Sequence, residues 1–432
     1  MSSSLEKLYA AFDPQPLRAD QPGEHRYVDL DDVRGPGDVV PRLASRIRLS
    51  PEPTCQLLAG HRGSGKSTEL RRLKRELETG NKRYFVVFCD SSRDIDRNDV
   101  DFLEVLTAVM RQMAAQLREH AQISLTPGYF RDRWERIWNL LSSDVSLDSV
   151  DLEVGFTKIS TTVKASPDAR LKLRELIEGD TGNWLLAAND LIGQALLDLN
   201  KQGYHGLVVL VDDLDKIVLR PHEKAGCSTG EYLFIHRQPQ LSAFMCHTVY
   251  TVPLALAYST QEATLSTLYG GNVPVVPMVK VSNPPPQRGD YQPGIDKCLQ
   301  IIARRLEDSG AQQTDLFDSD QTRDLLVRLS GGQPTELMYL TREAMITALP
   351  ITENALKRAA RERRKAYVRQ LRTEHWTVID EVRRAGQFTR TADNDQAIRS
   401  LLDNRAILQY VNDSDWYGEN PVIADLSAPG AR

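Results

Sequence analysis

Residues 60–67, with the sequence GHRGSGKS, constrain the fold of this chain more than any other feature. They match the pattern G-x-x-x-x-G-K-[ST] at every fixed position. Glycines let successive backbone N–H groups turn inward around a phosphate, whose approach larger side chains would block. An apolar run precedes the motif and leucines at helical spacing follow it. The sequence therefore predicts a strand, a phosphate-binding loop and a helix whose positive N-terminus faces the phosphate.

The side chains of this loop indicate its ligand. Lys66 can reach the β- and γ-phosphates of a nucleoside triphosphate as a compact charge, and the Ser67 hydroxyl can ligate Mg²⁺. We therefore expect ATP and Mg²⁺ as cofactors. The residues expected to bind the nucleotide are Gly60, His61, Arg62, Gly63, Ser64, Gly65, Lys66, Ser67 and Thr68.

A second motif ends an apolar run further along the chain. Residues 207–211 are all apolar, and Asp212 and Asp213 follow them directly. At the carboxyl end of a buried strand, Asp212 can hold the Mg²⁺ shell and Asp213 can act as general base toward the attacking water. The alternative is a pair of solvated acids, which the upstream loop makes the weaker interpretation. Ser67 and Asp212 are thus the predicted metal ligands, and Lys66 and Asp213 are predicted to be catalytic.

The order of apolar runs predicts an α/β fold, a parallel P-loop NTPase sheet with helices on both faces. The run 84–89 is apolar throughout, as expected for a parallel strand covered on both sides. After Pro284 the strand patterns stop and helical patterns continue. The expected domains are an N-terminal extension (1–50), the α/β domain (51–285), a small helical lid (286–350) and a winged-helix-like domain (351–432).

Residues 120–180 interrupt the alternation of strands and helices, and we expect an insertion in the α/β domain there. Between 150 and 165, apolar and polar residues alternate, with apolar side chains at Leu152, Val154, Phe156, Ile159 and Val163. This pattern predicts a β-element that protrudes from the core sheet. Ser166 and Pro167 are typical of a helix start, and they predict a basic helix over 169–177.

The two motifs resemble those of the AAA+/STAND branch of P-loop ATPases, near the origin-recognition/Cdc6-like and KAP-like groups. The resemblance rests on residues 60–68, on residues 208–213 and on a polar residue that ends the next strand. It implies hydrolysis of ATP to ADP and phosphate. It also implies a catalytic sensor of the γ-phosphate at Thr251, for which the alternative is an ordinary threonine at a strand end.

The lid of such ATPases carries a glycine pair before a proline, followed by a sensor arginine. In residues 329–335, with the sequence LSGGQPT, Thr335 stands where that arginine would be. This departure favours a slow molecular switch over a cycling AAA+ machine. Arg220 and Arg237 could each act as an arginine finger in trans, but a surface arginine is the favoured interpretation of both.

The C-terminal segment resembles the winged-helix module that follows the lid in these ATPases. A helix, a strand, a turn and a returning strand are expected at 397–402, 406–411, 412–415 and 416–417. The basic run 356–365 belongs to a further helix that could bind DNA. Glu362 interleaves with its basic residues, and Asp413 and Asp415 make the wing tip acidic. Packing against the lid or a partner is therefore favoured over DNA binding.

Composition excludes several other classes of protein. The formal net charge of the 432 residues is −5, so the chain as a whole is no polycation built to coat nucleic acid. The five cysteines are scattered without Cys-x-x-Cys spacing, which suggests reduced thiols rather than disulfides or zinc. No apolar run approaches the roughly 18 residues that suggest a membrane span. We expect a cytoplasmic protein without membrane association.

The expected function is that of a slow ATP-dependent signalling switch that regulates a partner protein, with turnover that depends on the partner or on assembly. The sequence contains no recognisable effector, so a co-encoded effector or sensor protein is the expected partner, and the resemblance suggests a bacterial defence or conflict system. A homo-oligomer is an open alternative. The rival hypothesis is a DNA-binding AAA+ ATPase of the origin-recognition/Cdc6 or transposition-regulator type, with nucleic acid as partner. A third is a nucleotide-binding scaffold without turnover.

Overall fold

A computed structural model gives the fold of residues 2–21, 24–36, 38–125, 152–222 and 225–427. Within these ranges the strands are β1 (Cys55–Gly60), β2 (Tyr84–Asp90), β3 (Gly206–Asp212), β4 (His247–Thr251), β5 (Val275–Val276), β6 (Ile407–Val411) and β7 (Asp415–Glu419). The helices before β3 are α1 (Ser2–Ala11), α2 (Asp31–Arg34), α3 (Val39–Leu49), α4 (Lys66–Glu78), α5 (Ser91–Asp94), α6 (Phe102–Ala121), α7 (Leu152–Ala165), α8 (Pro167–Glu178) and α9 (Thr181–Lys201).

The helices after β3 are shorter until the C-terminal third of the chain. They are α10 (Thr229–Glu231), α11 (Gln238–Leu241), α12 (Leu254–Ala257), α13 (Glu262–Leu268), α14 (Gln292–Glu307), α15 (Gln313–Leu316), α16 (Asp320–Ser330), α17 (Pro334–Thr347), α18 (Glu353–Val368), α19 (Thr373–Ala385) and α20 (Asp395–Asp403). A π-helical turn, Tyr232–His236, separates α10 from α11. In the described part of the chain, no helix combines the length and apolarity needed to cross a membrane.

The first five strands form one sheet in the order β2-β3-β4-β1-β5. The pairs β2–β3, β3–β4 and β1–β4 are parallel, so the predicted parallel α/β fold is confirmed. Every residue of β3 is buried, as its continuous apolar run predicted. Strand β5 has two residues, because Pro274 and Pro277 flank it and cannot donate to a sheet ladder.

The chain divides into two compact units. The first unit contains Met1–Val39, Gly60–Glu69 and Val275–Arg432, and the second contains Val40–Ala59 and Leu70–Pro274. The loop 60–67 therefore belongs to the same unit as the N-terminal and C-terminal segments. The four-domain division expected from the sequence stays a prediction.

In the second unit, helix α6 covers the edge strand β2. The Gln116 side chain both accepts from Phe88 N–H and donates to Phe88 C=O, at 3.0 Å in each case. The Gln112 side chain does the same for the backbone of Asp90, at 2.9 and 2.8 Å. Because an open edge offers its backbone to other chains, these amides close the sheet on this side. They also fix the end of β2, where Asp90 pairs with Asp212 of β3.

Residues 152–165 form helix α7, and the predicted protruding β-element is wrong. Phe156, Ile159 and Val163 are buried, and their i, i+3, i+7 spacing places them on one face of a helix. The same short pattern also fits the alternation of a strand, so the sequence alone could not distinguish a helix from a strand here. The Lys164 ammonium donates to Ser92 C=O at 2.6 Å, so α7 packs against α5. The part of the predicted insertion between 126 and 151 lies outside the described residues.

Helix α8 follows α7 and confirms the predicted basic helix over 169–177. Its N-cap is Ser166, whose hydroxyl accepts from Ala169 N–H at 3.2 Å, and Pro167 occupies the first turn. Both features could be predicted from the sequence, because adjacent residues determine where a helix starts.

After Pro284 the sequence predicted helices, and in the first unit these include α14, α16 and α17. They share a core with α18 and with Leu8 and Phe12 of the N-terminal segment. Strands β6 and β7 form an antiparallel hairpin after α20, so the predicted order of helix, strand, turn and strand is present. Helix α19 was not predicted; it begins a few residues after the basic helix α18 ends.

Candidate nucleotide-binding site

Residues 61–65 form a loop between β1 and α4, as the motif predicted. Gly60, Gly63 and Gly65 have φ angles of +151°, +83° and +103°, in the region that favours glycine. A Cβ on Gly63 would lie 2.5 Å from the side-chain nitrogen of Gln333. Glycine is thus required at Gly63 both by its φ angle and by the close approach of another segment.

The Lys66 ammonium is buried at the start of α4 and bonds to the loop. Its Nζ donates to Gly60 C=O at 2.7 Å and to His61 C=O at 2.8 Å. A phosphate oxygen carries a larger negative charge than a carbonyl oxygen and therefore attracts the ammonium more strongly. A phosphate that enters the loop can therefore draw the ammonium away from these two carbonyl groups. The helix N-terminus at Lys66 favours the same negative charge.

A segment with a glycine pair, residues 330–335, contacts the outer side of the loop. Gln333 Nε2 donates to Arg62 C=O at 2.6 Å, and Thr335 N–H donates to Gly63 C=O at 3.4 Å. In a planar trans peptide the C=O and the next N–H point in opposite directions. The bond from Gln333 to Arg62 C=O therefore keeps Gly63 N–H pointing to the other side of the loop. Thr335, which replaces the expected arginine, contacts the loop through its backbone.

Arg34, which was not predicted as a site residue, also contacts the loop. Arg34 is buried, and its guanidinium donates to Ser64 C=O and pairs with Glu69 at 3.0 Å. By the same peptide geometry, this contact holds Gly65 N–H on the opposite side of the loop. A lone arginine in a polar N-terminal segment gives no signal in the sequence, because only the fold brings it to the loop.

His61 links the loop to the C-terminal part of the first unit. Its Nε2 accepts from Gln409 N–H at 2.9 Å, so the proton lies on Nδ1, which donates to Leu402 C=O at 3.1 Å. Burial, followed by the charge of Lys66, lowers the pKa of His61 to about 3. The imidazole is therefore neutral at physiological pH, with one donor and one acceptor in fixed positions. The motif predicted His61 only as one of the residues that bind the nucleotide.

In the second unit, Asp212 ends β3 and Asp213 directly follows it, as predicted. The Asp212 carboxylate accepts from Asp213 N–H at 2.8 Å, and Asp213 itself has a φ angle of +69°. Together with Asp215, they place carboxylate oxygens within 4.8 Å of one another, an arrangement that could hold a metal ion. These are the hard oxygen ligands that Mg²⁺ prefers, so the residues fit the expected ion.

The Asp213 carboxylate is engaged by two cations. Arg97 lies 3.3 Å from one oxygen, and the Lys216 ammonium pairs with the other. Each oxygen keeps a second lone pair that can accept the proton of an attacking water. The geometry is thus compatible with the predicted general base.

Thr251 ends β4, which pairs with β3. Its hydroxyl donates to Val211 C=O at 3.4 Å and accepts from Asp215 N–H at 3.3 Å, and the residue is fully buried. These bonds tie the end of β4 to the turn after β3. This structural role alone accounts for a threonine, and the sensor role stays a prediction.

The two arginines considered as fingers differ in their surroundings. Arg237 makes a bidentate pair with Asp101, the N-cap of α6, at 3.0 Å for each bond, so it belongs to the fold of its own chain. The Arg220 side chain is 48% exposed and lies 3.8 Å from Asp99. Of the two, Arg220 is the one that another molecule can reach.

Several charges of the basic helix α18 are used within the chain. Arg363 forms two hydrogen bonds, of 2.7 and 2.6 Å, with the buried carboxylate of Glu336. Arg364 donates to Val422 C=O at 2.7 Å, and Lys365 pairs with Glu362 at 2.8 Å. These contacts favour a packing role for this helix over contact with phosphates.

No protein-family model and no curated protein matches the sequence. Among solved structures, the Walker-type ATPase PABY2304 of Pyrococcus abyssi is similar at 16% identity, over 96% of this chain and 98% of that chain, with a TM-score of 0.49. The ORC2 protein of Aeropyrum pernix, solved in ADPNP–ADP complexes, is similar at 10% identity over 94% of each chain, with a TM-score of 0.41. The ORC1 protein of the same organism, in complex with DNA, is similar at 13% identity over 95% of this chain and 97% of that chain, with a TM-score of 0.38.

These structures come from the groups that the sequence motifs resemble. Their TM-scores are below 0.5, so they assign no role to any residue of this chain. The fold class rests on the chain's own features, which are a parallel sheet and a complete P-loop motif between β1 and α4. Together they define a P-loop α/β protein.

Proposed function

We propose that this chain is an ATPase that binds ATP and Mg²⁺ through residues 60–68 and Asp212. The observation that carries the proposal is the loop itself, with glycines at positive φ and the Lys66 ammonium bonded to its carbonyl groups. Ser67 and Asp212 would hold Mg²⁺ through oxygen atoms. Bound Mg²⁺ would neutralise charge on the phosphates during transfer.

Titration with a fluorescent ATP analogue tests the binding step. We expect saturable binding in the presence of Mg²⁺ and weaker binding after chelation. A parallel titration with AMP provides the control, because a loop that recognises the β- and γ-phosphates discriminates strongly against the monophosphate. A folded protein that shows no saturable ATP binding would overturn the proposal.

Asp213→Asn is expected to retain bound ATP and to reduce hydrolysis by about 10²–10⁴-fold, because an amide cannot take the proton of the attacking water. Asp212→Asn is expected to shift the Mg²⁺ requirement to higher concentration, because one charged ligand is lost. Phosphate release measured across a Mg²⁺ titration separates the two effects. Asp198→Asn, on the exposed side of α9, is the matched control. Wild-type rates in both site variants would contradict the assignment of these carboxylates.

We further propose that this ATPase is a slow switch that regulates a partner protein. Its support is that the loop, the segment 330–335 and the hairpin β6–β7 are hydrogen-bonded within one compact unit. Thr335 in place of an arginine also favours a slow ATPase. The partner is expected to be a co-encoded effector or sensor, in a bacterial defence or conflict system. Co-purification of the neighbouring gene's product, compared with and without ATP, tests this part.

DNA binding, the rival function, is expected to be weak. Because Arg363 and Arg364 are used within the chain, we expect a nonspecific Kd of about 10⁻⁴–10⁻⁶ M at physiological salt. Gel-shift titration over a range of salt concentrations measures it. The double variant Arg358→Ala/Arg361→Ala removes exposed charges of α18 and is expected to change this affinity little. A sequence-specific Kd near 10⁻⁸ M that this variant abolishes would favour the DNA-binding ATPase instead.

A further inference from the structure

Two hydrogen bonds connect the segment 330–335 to its neighbours in the first unit. On one side, Gln333 Nε2 donates to Arg62 C=O of the loop at 2.6 Å. On the other side, the Tyr410 hydroxyl of strand β6 donates to Gly331 C=O at 2.8 Å. The segment therefore lies between the phosphate loop and the hairpin β6–β7 and bonds to both.

A third contact joins the hairpin directly to the loop. Gln409 N–H, adjacent to Tyr410, donates to the His61 imidazole at 2.9 Å, and the other ring nitrogen holds Leu402 C=O at the end of α20. The three contacts close a ring from loop to segment to hairpin and back to the loop. We call this ring the hydrogen-bond circuit; its side chains are those of His61, Gln333 and Tyr410.

The side chains of the circuit are buried and tightly packed. His61, Gln333 and Tyr410 are at most 3% exposed. A Cβ added to Gly331 would lie 2.7 Å from the Leu408 side chain, so the hairpin packs against the backbone of this segment. Buried hydrogen bonds of this kind are costly to break, because water cannot replace the lost partner. Movement at one corner is therefore passed to the others rather than absorbed by solvent.

Nucleotide can act on the circuit through Lys66. In the structure its ammonium donates to His61 C=O at 2.8 Å, on the same residue whose ring contacts the hairpin. A triphosphate competes for that ammonium with charged oxygens. His61 C=O then loses one of its two donors and keeps Ser64 N–H, while the His61 side chain stays bonded to the hairpin. Occupancy of the loop thus alters the backbone bonding of a residue whose side chain contacts the hairpin.

We propose that the hydrogen-bond circuit transmits occupancy of the loop by a nucleoside triphosphate to the hairpin β6–β7. His61 is the positioning residue at which the signal leaves the loop, and Tyr410 returns it to the segment 330–335. The inference rests on the proposed ATP binding and names the residues through which the switch would act.

Amide hydrogen exchange of the full-length protein, with and without saturating ATP, tests the circuit. In the wild type we expect ATP to change the exchange rate of Gln409 N–H by about fivefold or more, the lower end of typical allosteric coupling. Amides of α18, in the same unit but outside the circuit, are the internal control. Because nucleotide is saturating, a moderate loss of affinity in a variant does not affect the comparison.

Tyr410→Phe removes only the hydroxyl and is the main variant. We expect unchanged ATP affinity and at least a twofold smaller exchange response at Gln409. At the loop, His61→Leu is expected to remove the response, and His61→Gln, which offers one donor and one acceptor, is expected to restore part of it. Thermal melts identify any variant that fails to fold, and Tyr410→Phe keeps the test valid in that case.

Different results would overturn ATP binding and transmission through the circuit. Absence of ATP binding by the wild type would overturn the proposed function. ATP binding with no exchange response in residues 407–419 would overturn the circuit alone. A full response in both Tyr410→Phe and His61→Leu would also overturn it, since the signal would then travel by another route.

Discussion

Lys66→Ala is expected to weaken ATP binding by about two to four orders of magnitude. Hydrogen bonds to charged groups contribute about 1.5–3 kcal/mol each, and Lys66 is expected to contact two phosphates. Losing about 3–6 kcal/mol corresponds to that range of affinity. The structure adds that the ammonium is buried and already bonded to the loop, so little ordering is required when the phosphate arrives. Titration with a fluorescent ATP analogue measures the change.

Two further variants make this result specific. Arg75→Ala removes a positive charge from the last turn of the same helix, and it is expected to leave the affinity within about twofold. Lys66→Met keeps most of the buried stem without the charge, and it should bind ATP as weakly as Lys66→Ala. Since Lys66 also donates to two loop carbonyl groups, thermal unfolding of each variant is measured in parallel. Equal affinities of wild type and Lys66→Ala would refute the P-loop assignment.

The phosphate loop could be predicted from the sequence because its chemistry is local. Positive φ at Gly60, Gly63 and Gly65 follows from three residues within six positions, and Lys66 lies directly after them. The buried strand β3 could also be predicted, since a parallel strand covered on both faces needs a continuous apolar run. Features that are set by neighbouring residues along the chain can thus be predicted from the amino-acid sequence alone.

For the segment 152–165, the alternating pattern predicted a β-element, but the residues form helix α7. Apolar residues over so short a stretch satisfy a period of 2 and a period of 3.6 almost equally well. The choice was made by tertiary packing, since Ile159 and Val163 are buried in α7, and the Ser160 hydroxyl donates to the buried Asp94 of α5. A pattern of this length required a packing partner that the sequence did not reveal.

The contacts around the loop were not predictable for a different reason. Arg34 lies about 30 positions before the residues it contacts, while Gln333 and Gln409 lie roughly 270 to 350 positions after theirs. None of these residue types is unusual in its own segment. Only the fold turns an arginine, a glutamine and a backbone N–H into supports of one loop. Such supports are nevertheless what hold a binding loop in the geometry that its motif requires.

Hydrolysis by the isolated protein is expected to be far below one turnover per second. Three features account for this expectation. Thr335 stands where a lid arginine would stabilise charge, Asp213 is held by Arg97 and Lys216, and Arg237 is committed to Asp101. Catalysis of phosphoryl transfer is mostly electrostatic, and an arginine supplied to the transition state accelerates it by about 10³–10⁵-fold. The rate should therefore rise steeply when assembly or a partner supplies that charge.

Phosphate release measured from nanomolar to high micromolar protein, alone and with the co-encoded protein, tests the dependence on assembly. We expect the rate per protomer to increase with concentration or on addition of the partner.

If Arg220 supplies the charge between protomers, Arg220→Ala removes this increase. A mixture of Arg220→Ala with Lys66→Ala then recovers part of it, because one variant keeps an intact loop and the other keeps the arginine. Arg93→Ala, another exposed arginine of the second unit, is the control and should leave the increase intact. Many turnovers per second by a monomer at nanomolar concentration, without any partner, would contradict the switch.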